Sequence, residues 1–272
     1  MTRQTFVITG ASEGIGAEMA RQLARRQRAG AALVLAARHA RQLEAVAAQC
    51  RDLGAAAHAV PTDVADEHQC RALIDQAVRA TGRIDTLVNN AGMSAQALFG
   101  EVQAQDLHWY QQLMAINLWG SVWCTHAALP HLRASRGRVV AVSSLAGLVG
   151  VPGRTAYSAT KFAMTGFFEA LRAEVKHDGI SVTIAFPNVV ATRIRHRGFD
   201  ASGEAAGISG LKEDGAMRVE ECARLIIEGM ERRRREVVMT AQGKIGRFVK
   251  LVAPALVERI ALAKLKDEVR PR

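Results

Sequence analysis

The feature that most constrains this chain is an alternation: apolar runs of strand length take turns with segments of helical period. TFVIT (5–9) precedes a helical stretch reaching about residue 28, ALVLAA (32–37) precedes RQLEAVAAQCRDL (41–53), and AHAV (57–60) precedes a helix near 66–81. IDTLVN (84–89) leads to a helix around 104–128 and GRVVAVSS (137–144) to one around 154–177. SVTIAF (181–186) leads, past a long loop, to a helix around 218–232, and EVVMT (236–240) closes the series. Apolar strands separated by helices predict a parallel sheet covered on both faces. The expectation is one α/β domain built on a doubly wound, seven-stranded parallel sheet. In such sheets ligands bind beyond the carboxyl ends of the strands, near the switch in strand order. The residues that follow strands are therefore the candidates.

Composition agrees with a single large core. Of 272 residues 49% are hydrophobic and only 5% aromatic, which suits small side chains packed closely on a buried sheet. Cys50, Cys70, Cys124 and Cys222 are far apart, with no C-x-x-C pair and no metal-ligand spacing, so they read as reduced core thiols and no metal is expected. Neither a signal peptide nor a transmembrane run is read in the chain, and a cytoplasmic location is expected. The net charge is +10, but residues 232–272 hold 12 Lys/Arg against 4 Asp/Glu, leaving only +2 on the other 231. A basic tail on a nearly neutral body does not suggest nucleic acid.

The first candidate is TGASEGIG (9–16), between the first strand and a helix. Gly10, Gly14 and Gly16 permit a tight turn and a close approach of backbone N–H groups to a pyrophosphate at the helix N-terminus. The second strand ends in Ala37-Arg38, where an NAD site would carry an acidic residue for the ribose 2′-hydroxyl. An arginine there suits a 2′-phosphate, so NADP(H) is preferred over NAD(H). The plainer alternative is that Arg38 starts the next helix, exposed, with Arg41 beside it. In AYSATKFAM (156–164), Tyr157 and Lys161 lie one helical turn apart on one face. Taken alone, Tyr157 would pack and Lys161 would reach for water.

The glycine turn, NNAG (89–92), Asn117 in MAINLWG, the serine pair 143–144 and Tyr157-x3-Lys161 together resemble the short-chain dehydrogenase/reductase family. The resemblance spans roughly residues 4–192, with Tyr157 13 residues after Ser144 and Ser144 27 after Asn117. It implies a Rossmann-type domain over 1–240 and an NADP(H)-dependent oxidoreductase. Tyr157 would be the general acid and Ser144 would orient the substrate oxygen. Lys161 would hold the nicotinamide ribose, and with the oxidised nicotinamide it would lower the Tyr157 pKa. Asn117 would hold a water of the proton relay. Cofactor contacts would come from Gly10, Ser12, Glu13, Gly14, Ile15 and Gly16, then Arg38, Asp63, Val64, Asn90, Ala91 and Gly92. Tyr157, Lys161, Pro187, Val190 and Thr192 would complete them. The substrate would meet Ser144, Tyr157, Met93, Leu145 and Asn188. The chain departs from the family at Asn188, where a glycine is usual; the asparagine side chain would enter the pocket.

Two segments lie apart from these motifs. Residues 196–215 have five glycines and no apolar period, and are expected to form a substrate lid. Residues 241–272 read as two basic amphipathic helices split at Pro254. Ile245, Phe248, Val249 and Val252 would share one face, with Lys244, Arg247 and Lys250 away from it. Leu256, Val257, Ile260 and Leu265 would follow, with Arg259, Lys264 and Lys266. Such helices either lie on an anionic membrane surface or dock on the body or a partner subunit. The tail loosely resembles that of reductases related to the 11β-hydroxysteroid dehydrogenases, which implies a hydrophobic, lipid- or sterol-like carbonyl or alcohol. Leu148 and Val149 are compatible with such a pocket. The alternatives are a soluble 3-oxoacyl or small-ketone reductase and an NADP-binding sensor or scaffold. Relatives imply a homodimer or homotetramer built on the helices around 104–128 and 154–177.

Overall fold

The computed structural model describes residues 3–207 and 215–269. Seven parallel strands form one sheet in the order β3-β2-β1-β4-β5-β6-β7. They are β1 (Gln4–Thr9), β2 (Ala31–Ala37), β3 (Ala56–Pro61), β4 (Thr86–Asn89), β5 (Arg138–Val142), β6 (Ser181–Phe186) and β7 (Glu236–Val238). All seven residues of β2 are buried, as a strand covered on both faces requires. The chain runs outward from β1 to β3, then returns to lay β4 on the other side of β1. Val7 is thus flanked by Val34 and Leu87, and the carboxyl ends of β1 and β4 open the crevice where ligands bind in such sheets.

Helices α1 (Gly14–Gln27), α2 (Ala40–Asp52) and α7 (Val219–Glu231) cover one face, burying Met19, Leu23, Leu43, Ile226 and Ile227. Helices α3 (Glu67–Thr81), α5 (Gly120–Ser135) and α6 (Thr155–Glu174) cover the other, with Leu73, Leu132, Met164 and Phe168 in the core. Their ends follow from local chemistry. Asp66 caps α3 by accepting from the N–H groups of His68 (2.8 Å) and Gln69 (3.2 Å), and Gly82 ends it at φ +75°. The single helix expected around 104–128 is interrupted: α4 (His108–Met114) joins α5 through a π-helical turn, Ala115–Trp119, centred on Asn117. Such one-residue expansions leave no trace in hydrophobic period, and they gather at functional sites. All four cysteines are free and buried. Burial pushes the Cys50 thiol up to about 11 and Cys222 up to about 12, so both stay protonated and unreactive at neutral pH.

After β7 come α8 (Ala241–Val252) and α9 (Pro254–Val269). Between membrane and body, the sequence left this tail open. It docks on the body. A Cβ at Gly243 would come 2.5 Å from Leu145 Cδ2, and one at Gly153 3.1 Å from Leu265 Cδ1. Lys250 Nζ donates to Leu148 O (3.0 Å) and lies 4.6 Å from the Phe162 ring centre, while Arg247 pairs with Glu236. Two cations expected on a solvated face therefore pin the helix instead. The shared apolar face is covered only in part: Val249 is half-buried on the cleft wall, Ile245 borders the cleft but stays exposed, and Phe248 and Val252 are exposed. The side chains of Lys264 and Lys266 lie outside the described residues.

Candidate active site

The glycine turn is built by steric necessity. Gly10 (φ +65°) and Gly14 (φ +56°) adopt left-handed backbone. A Cβ at Gly10 would sit 2.8 Å from Ala91 Cα. Asn90 Nδ2 donates to Thr9 O (2.9 Å) and Gly10 O (3.1 Å), and Thr9 Oγ1 accepts from the N–H groups of Asn90 and Ala91, both at 3.0 Å. The ends of β1 and β4 are thereby fastened together. Glu13, at the N-cap, makes no side-chain bond to the first turn of α1; it pairs with Arg197 across the cleft at 2.5 Å. The leading N–H groups of α1 thus have no side-chain cap, as an anion site at a helix start requires. Gly16 is placed differently from its neighbours. It lies buried behind the turn, where a Cβ would meet Gly10 O at 2.4 Å and Asn90 Nδ2 at 2.5 Å. Replacing Gly16 by Ala must spread this junction, at a cost of about 2–3 kcal/mol. Thermal unfolding should fall by about 5–10 °C, and stabilisation by added nicotinamide dinucleotide should disappear. Gly30→Ala, with nothing within 4 Å of the new methyl, is the neutral control.

The other group gathers at the ends of β5 and α6. Tyr157 occupies the first turn of α6 and Lys161 the second, both buried. The ammonium lies 5.8 Å from the Tyr157 ring centre and donates to Val142 O at 3.0 Å. The serine pair is resolved by direction. Ser143 turns inward to Lys161 O (3.3 Å) and Thr165 Oγ1 (3.4 Å). Ser144 hydrogen-bonds the Tyr157 hydroxyl and also accepts from Ala146 N (3.2 Å). Asn117 stays out of the cleft. Its Oδ1 accepts from Met93 N (2.7 Å), and its Nδ2 donates to Met93 O (3.0 Å) and Thr160 Oγ1 (2.9 Å). This side chain ties the β4 loop to α6.

Burial holds the Tyr157 hydroxyl above the ordinary phenol value, against the opposing pull of Ser144, Arg154 and Arg195. Burial also lowers Lys161 to about 8, a value that leaves it mostly cationic at neutral pH.

A cleft of about 1070 Å³ joins the two groups. Its walls include Ser12, Glu13, Gly14, Ile15, Arg38, Asp63 and Val64 at one end, with Asn90, Ala91 and Gly92 in the middle. Arg38 is exposed, and among the described residues it has no ion-pair partner. Gly92 is needed for space, since a Cβ would lie 3.1 Å from Asn117 Oδ1 and 3.6 Å from Lys161 Nζ. At the other end are Met93, Ser144, Leu145, Tyr157, Pro187, Asn188, Val190 and Thr192. Asn188 lies on this wall, exposed, without a left-handed backbone angle; Arg28, Arg136 and Arg233 alone among described non-glycine residues have one. The turn has no conformational need for glycine there. The expected lid is in part a wall: Phe199 is buried, Phe199 N donates to Ser94 O (3.0 Å), and its ring stands 5.7 Å from Trp109. Residues 208–214 of that segment lie outside the described residues.

The sequence profile of a family described as short chain dehydrogenase matches residues 4–202. The chain belongs to the short chain dehydrogenase family. Its relatives include 11-beta-hydroxysteroid dehydrogenase A of Sesamum indicum, 38% identical over 94% of this chain and 73% of that protein. They also include 11-beta-hydroxysteroid dehydrogenase-like 2 of Arabidopsis thaliana, 35% identical over 95% of this chain and 80% of the relative. A match covering 95% of the chain takes in part of the tail as well as the catalytic region. Among solved structures, a short chain dehydrogenase/reductase of Burkholderia phymatum in complex with NAD superposes with a TM-score of 0.80 (24% identity, 94% of this chain, 95% of that one). An alcohol dehydrogenase of Thermococcus sibiricus complexed with 5-hydroxy-NADP gives 0.71 (22% identity, 87% and 94%). At these identities the structures speak for the fold alone.

This short chain dehydrogenase is therefore a nucleotide-binding oxidoreductase with a Rossmann-type sheet. Its site also holds groups that sequence reading passed over. Arg154 and Arg195 line the cleft and are buried. Arginine is normally read as a surface residue, so the sole signal was the position of Arg154 at the mouth of the Tyr157 helix. Among the described residues no helix is long and apolar enough to cross a membrane.

Proposed function

We propose that this oxidoreductase uses NADP(H) to reduce a carbonyl to an alcohol, or to run the reverse, on a hydrophobic, lipid- or sterol-like substrate. The observation that carries the substrate class is the composition of the wall beside Tyr157. Met93, Leu145, Leu148 and Val149 face the same cleft as Ile245, Val249, Leu256 and Ile260 of the docked tail. Such a surface favours an apolar ligand with one polar handle. The names of the curated relatives point the same way.

A nicotinamide cofactor bound here supplies the hydride, or accepts it in the reverse direction. The chain's own groups manage the proton and the geometry. Tyr157 gives its proton to the carbonyl oxygen, and Ser144 hydrogen-bonds that oxygen and orients it. Lys161 holds the cofactor's ribose hydroxyls, and Asn117 fixes the loop and helix that carry these groups. The glycine turn at Gly10, Ser12, Glu13, Gly14 and Ile15 receives the pyrophosphate, with Gly16 as its support. Asp63, Val64, Asn90, Ala91 and Gly92 line the adenosine end, and Pro187, Val190 and Thr192 the carboxamide end. Arg38 reads the 2′-phosphate. The exposed side chains of Phe248, Leu251 and Val252, beside the cations of α8, give the docked tail a peripheral membrane contact. Self-association involves the Trp119–Trp123 pair, whose rings stack at 5.9 Å, with Trp119 exposed.

The test is cofactor oxidation against small, acyl and sterol-like ketones, with and without anionic vesicles. Bulky ketones should turn over with NADPH in preference to NADH, and faster on vesicles. Arg38→Asp should lose about 10- to 100-fold in kcat/KM for NADPH, the worth of one charge-assisted contact, with little loss for NADH. Turnover confined to small ketones and indifferent to vesicles would overturn the substrate class. Absence of turnover, with cofactor altering membrane or partner binding instead, would favour a sensor.

A further inference from the structure

We propose that Arg197 is a further binding residue of this site, its guanidinium bridging Glu13 and the pyrophosphate of the bound dinucleotide. The inference rests on the reading of the glycine turn as the pyrophosphate site.

The two residues stand on different walls of the cleft. Glu13 is the N-cap of α1, and Arg197 belongs to the segment that follows β6. That segment packs on the turn itself, since a Cβ at Gly14 would lie 3.3 Å from Thr192 Cγ2. It is fixed on either side of Arg197: Ala191 N donates to Met217 O and Phe199 N to Ser94 O, both at 3.0 Å. Arg197 and Glu13 both line the cleft, and Arg197 Nη1 donates to Glu13 Oε1. A guanidinium presents five N–H donors in one plane. Nε and Nη2 of Arg197 have no hydrogen-bond partner among the described residues. The pair therefore offers free donors beside the glycine turn, between Arg38, Asp63 and Val64 at one end of the cleft and Tyr157 at the other.

Stability does not account for the pair. The Arg197 and Glu13 side chains are 41% and 39% exposed, and an ion pair so open to water contributes little to folding. Binding gives it a purpose. Glu13 places a carboxylate beside the helix start that receives a pyrophosphate, and two anions there repel each other. The planar fork of an arginine hydrogen-bonds two oxyanions at once. One guanidinium thus cancels the repulsion from Glu13 and donates to a phosphate oxygen, while Glu13 fixes where it stands. The pyrophosphate is common to both nicotinamide dinucleotides, so this contact is indifferent to the 2′-phosphate assigned to Arg38.

The test is binding, without turnover: dissociation constants for NADPH, NADH and adenosine 2′-monophosphate, which lacks the pyrophosphate, measured by calorimetry. Arg197→Gln should weaken NADPH and NADH alike by about 10- to 30-fold, as loss of a charge-assisted bond does, and adenosine 2′-monophosphate by less than about twofold. Arg197→Lys keeps the charge without the fork and should recover part of the loss. Glu13→Gln should stay within about threefold of wild type, because the lost anchor and the relieved repulsion oppose each other; in that background Arg197→Gln should cost only about three- to fivefold. Arg193→Gln removes an exposed charge from the same wall and, acting only through screened solvent, should cost less than about threefold. Circular dichroism verifies folding. The proposal is overturned if Arg197→Gln binds both dinucleotides as wild type does, if the loss is confined to NADPH, if adenosine 2′-monophosphate is weakened equally, or if Glu13→Gln leaves the cost of Arg197→Gln unchanged. A wild-type protein that binds adenosine 2′-monophosphate but neither dinucleotide would sink the reading of the glycine turn and the proposal with it.

Discussion

Tyr157→Phe should lower kcat for carbonyl reduction by about a thousandfold, equivalent to about 4 kcal/mol of transition-state stabilisation. The ring, its packing against the β4 loop and the helix around it are kept, so the folded protein should be altered little. The lost hydroxyl contacts Ser144, and removing one such bond costs about 1 kcal/mol. Cofactor affinity, read as thermal stabilisation by added NADPH, should stay within about threefold, since a loss of 1.4 kcal/mol would already be tenfold. A variant that keeps more than a tenth of the wild-type turnover would show that another group delivers the proton. A variant that loses cofactor binding as well would make Tyr157 structural.

Lys161→Met should give an opposite pairing, with activity lost by at least about a hundredfold and stability changed in a pH-dependent way. In the folded protein Lys161 titrates near 8 against 10.5 for an ordinary lysine, because burial disfavours the cation. Between those two pH values the unfolded chain binds the proton that the folded chain has released, so this group makes stability rise with pH. Below pH 8 both states are protonated and the full penalty, about 3 kcal/mol, is present. Methionine removes that penalty but leaves Val142 O without its 3.0 Å donor, which costs about 1–3 kcal/mol. At pH 7 the two offset. The diagnostic is the difference between wild type and variant in urea unfolding at pH 7.5 and pH 10, where wild type should gain about 2 kcal/mol on the variant. Taking the difference cancels the buried cysteines, whose raised pKa values act in the other direction. A constant difference across that range would mean that the ammonium is not desolvated as its burial implies.

The alternation of apolar runs foretold all seven strands, and each observed strand overlaps its predicted run; the central strands are apolar throughout because both faces are covered, while the edge strand β3 is only partly buried. The helix placed near 66–81 by its period matches α3, whose ends the structure shows to be set by Asp66 and Gly82. The π-helical turn at Asn117 was not, because one extra residue per turn depends on how α4 and α5 pack. Tyr157 and Lys161 were singled out only by the resemblance of the joint motif, since their spacing alone reads as packing, and the turn at Gly10 was legible by its place between strand and helix. The different task of Gly16 was hidden, since distance from a ligand is not a property of spacing. The tail was legible as two helices parted at Pro254, but its partner was not: amphipathicity says that a face will be covered and does not say by what.

By itself, then, the sequence determined the sheet, the covering helices and the residue types at the strand ends, because hydrophobic period and backbone sterics act over a few residues. The tertiary structure alone decided which serine faces Tyr157, where Lys250 and Arg247 go, and which charges share the buried site. Arg154 and Arg195 come from different segments of the chain and line one cleft only once β6 and α6 lie side by side. Burial had the same origin: a phenol and an ammonium with ordinary acidities in the chain acquire shifted ones only when the folded protein removes their water.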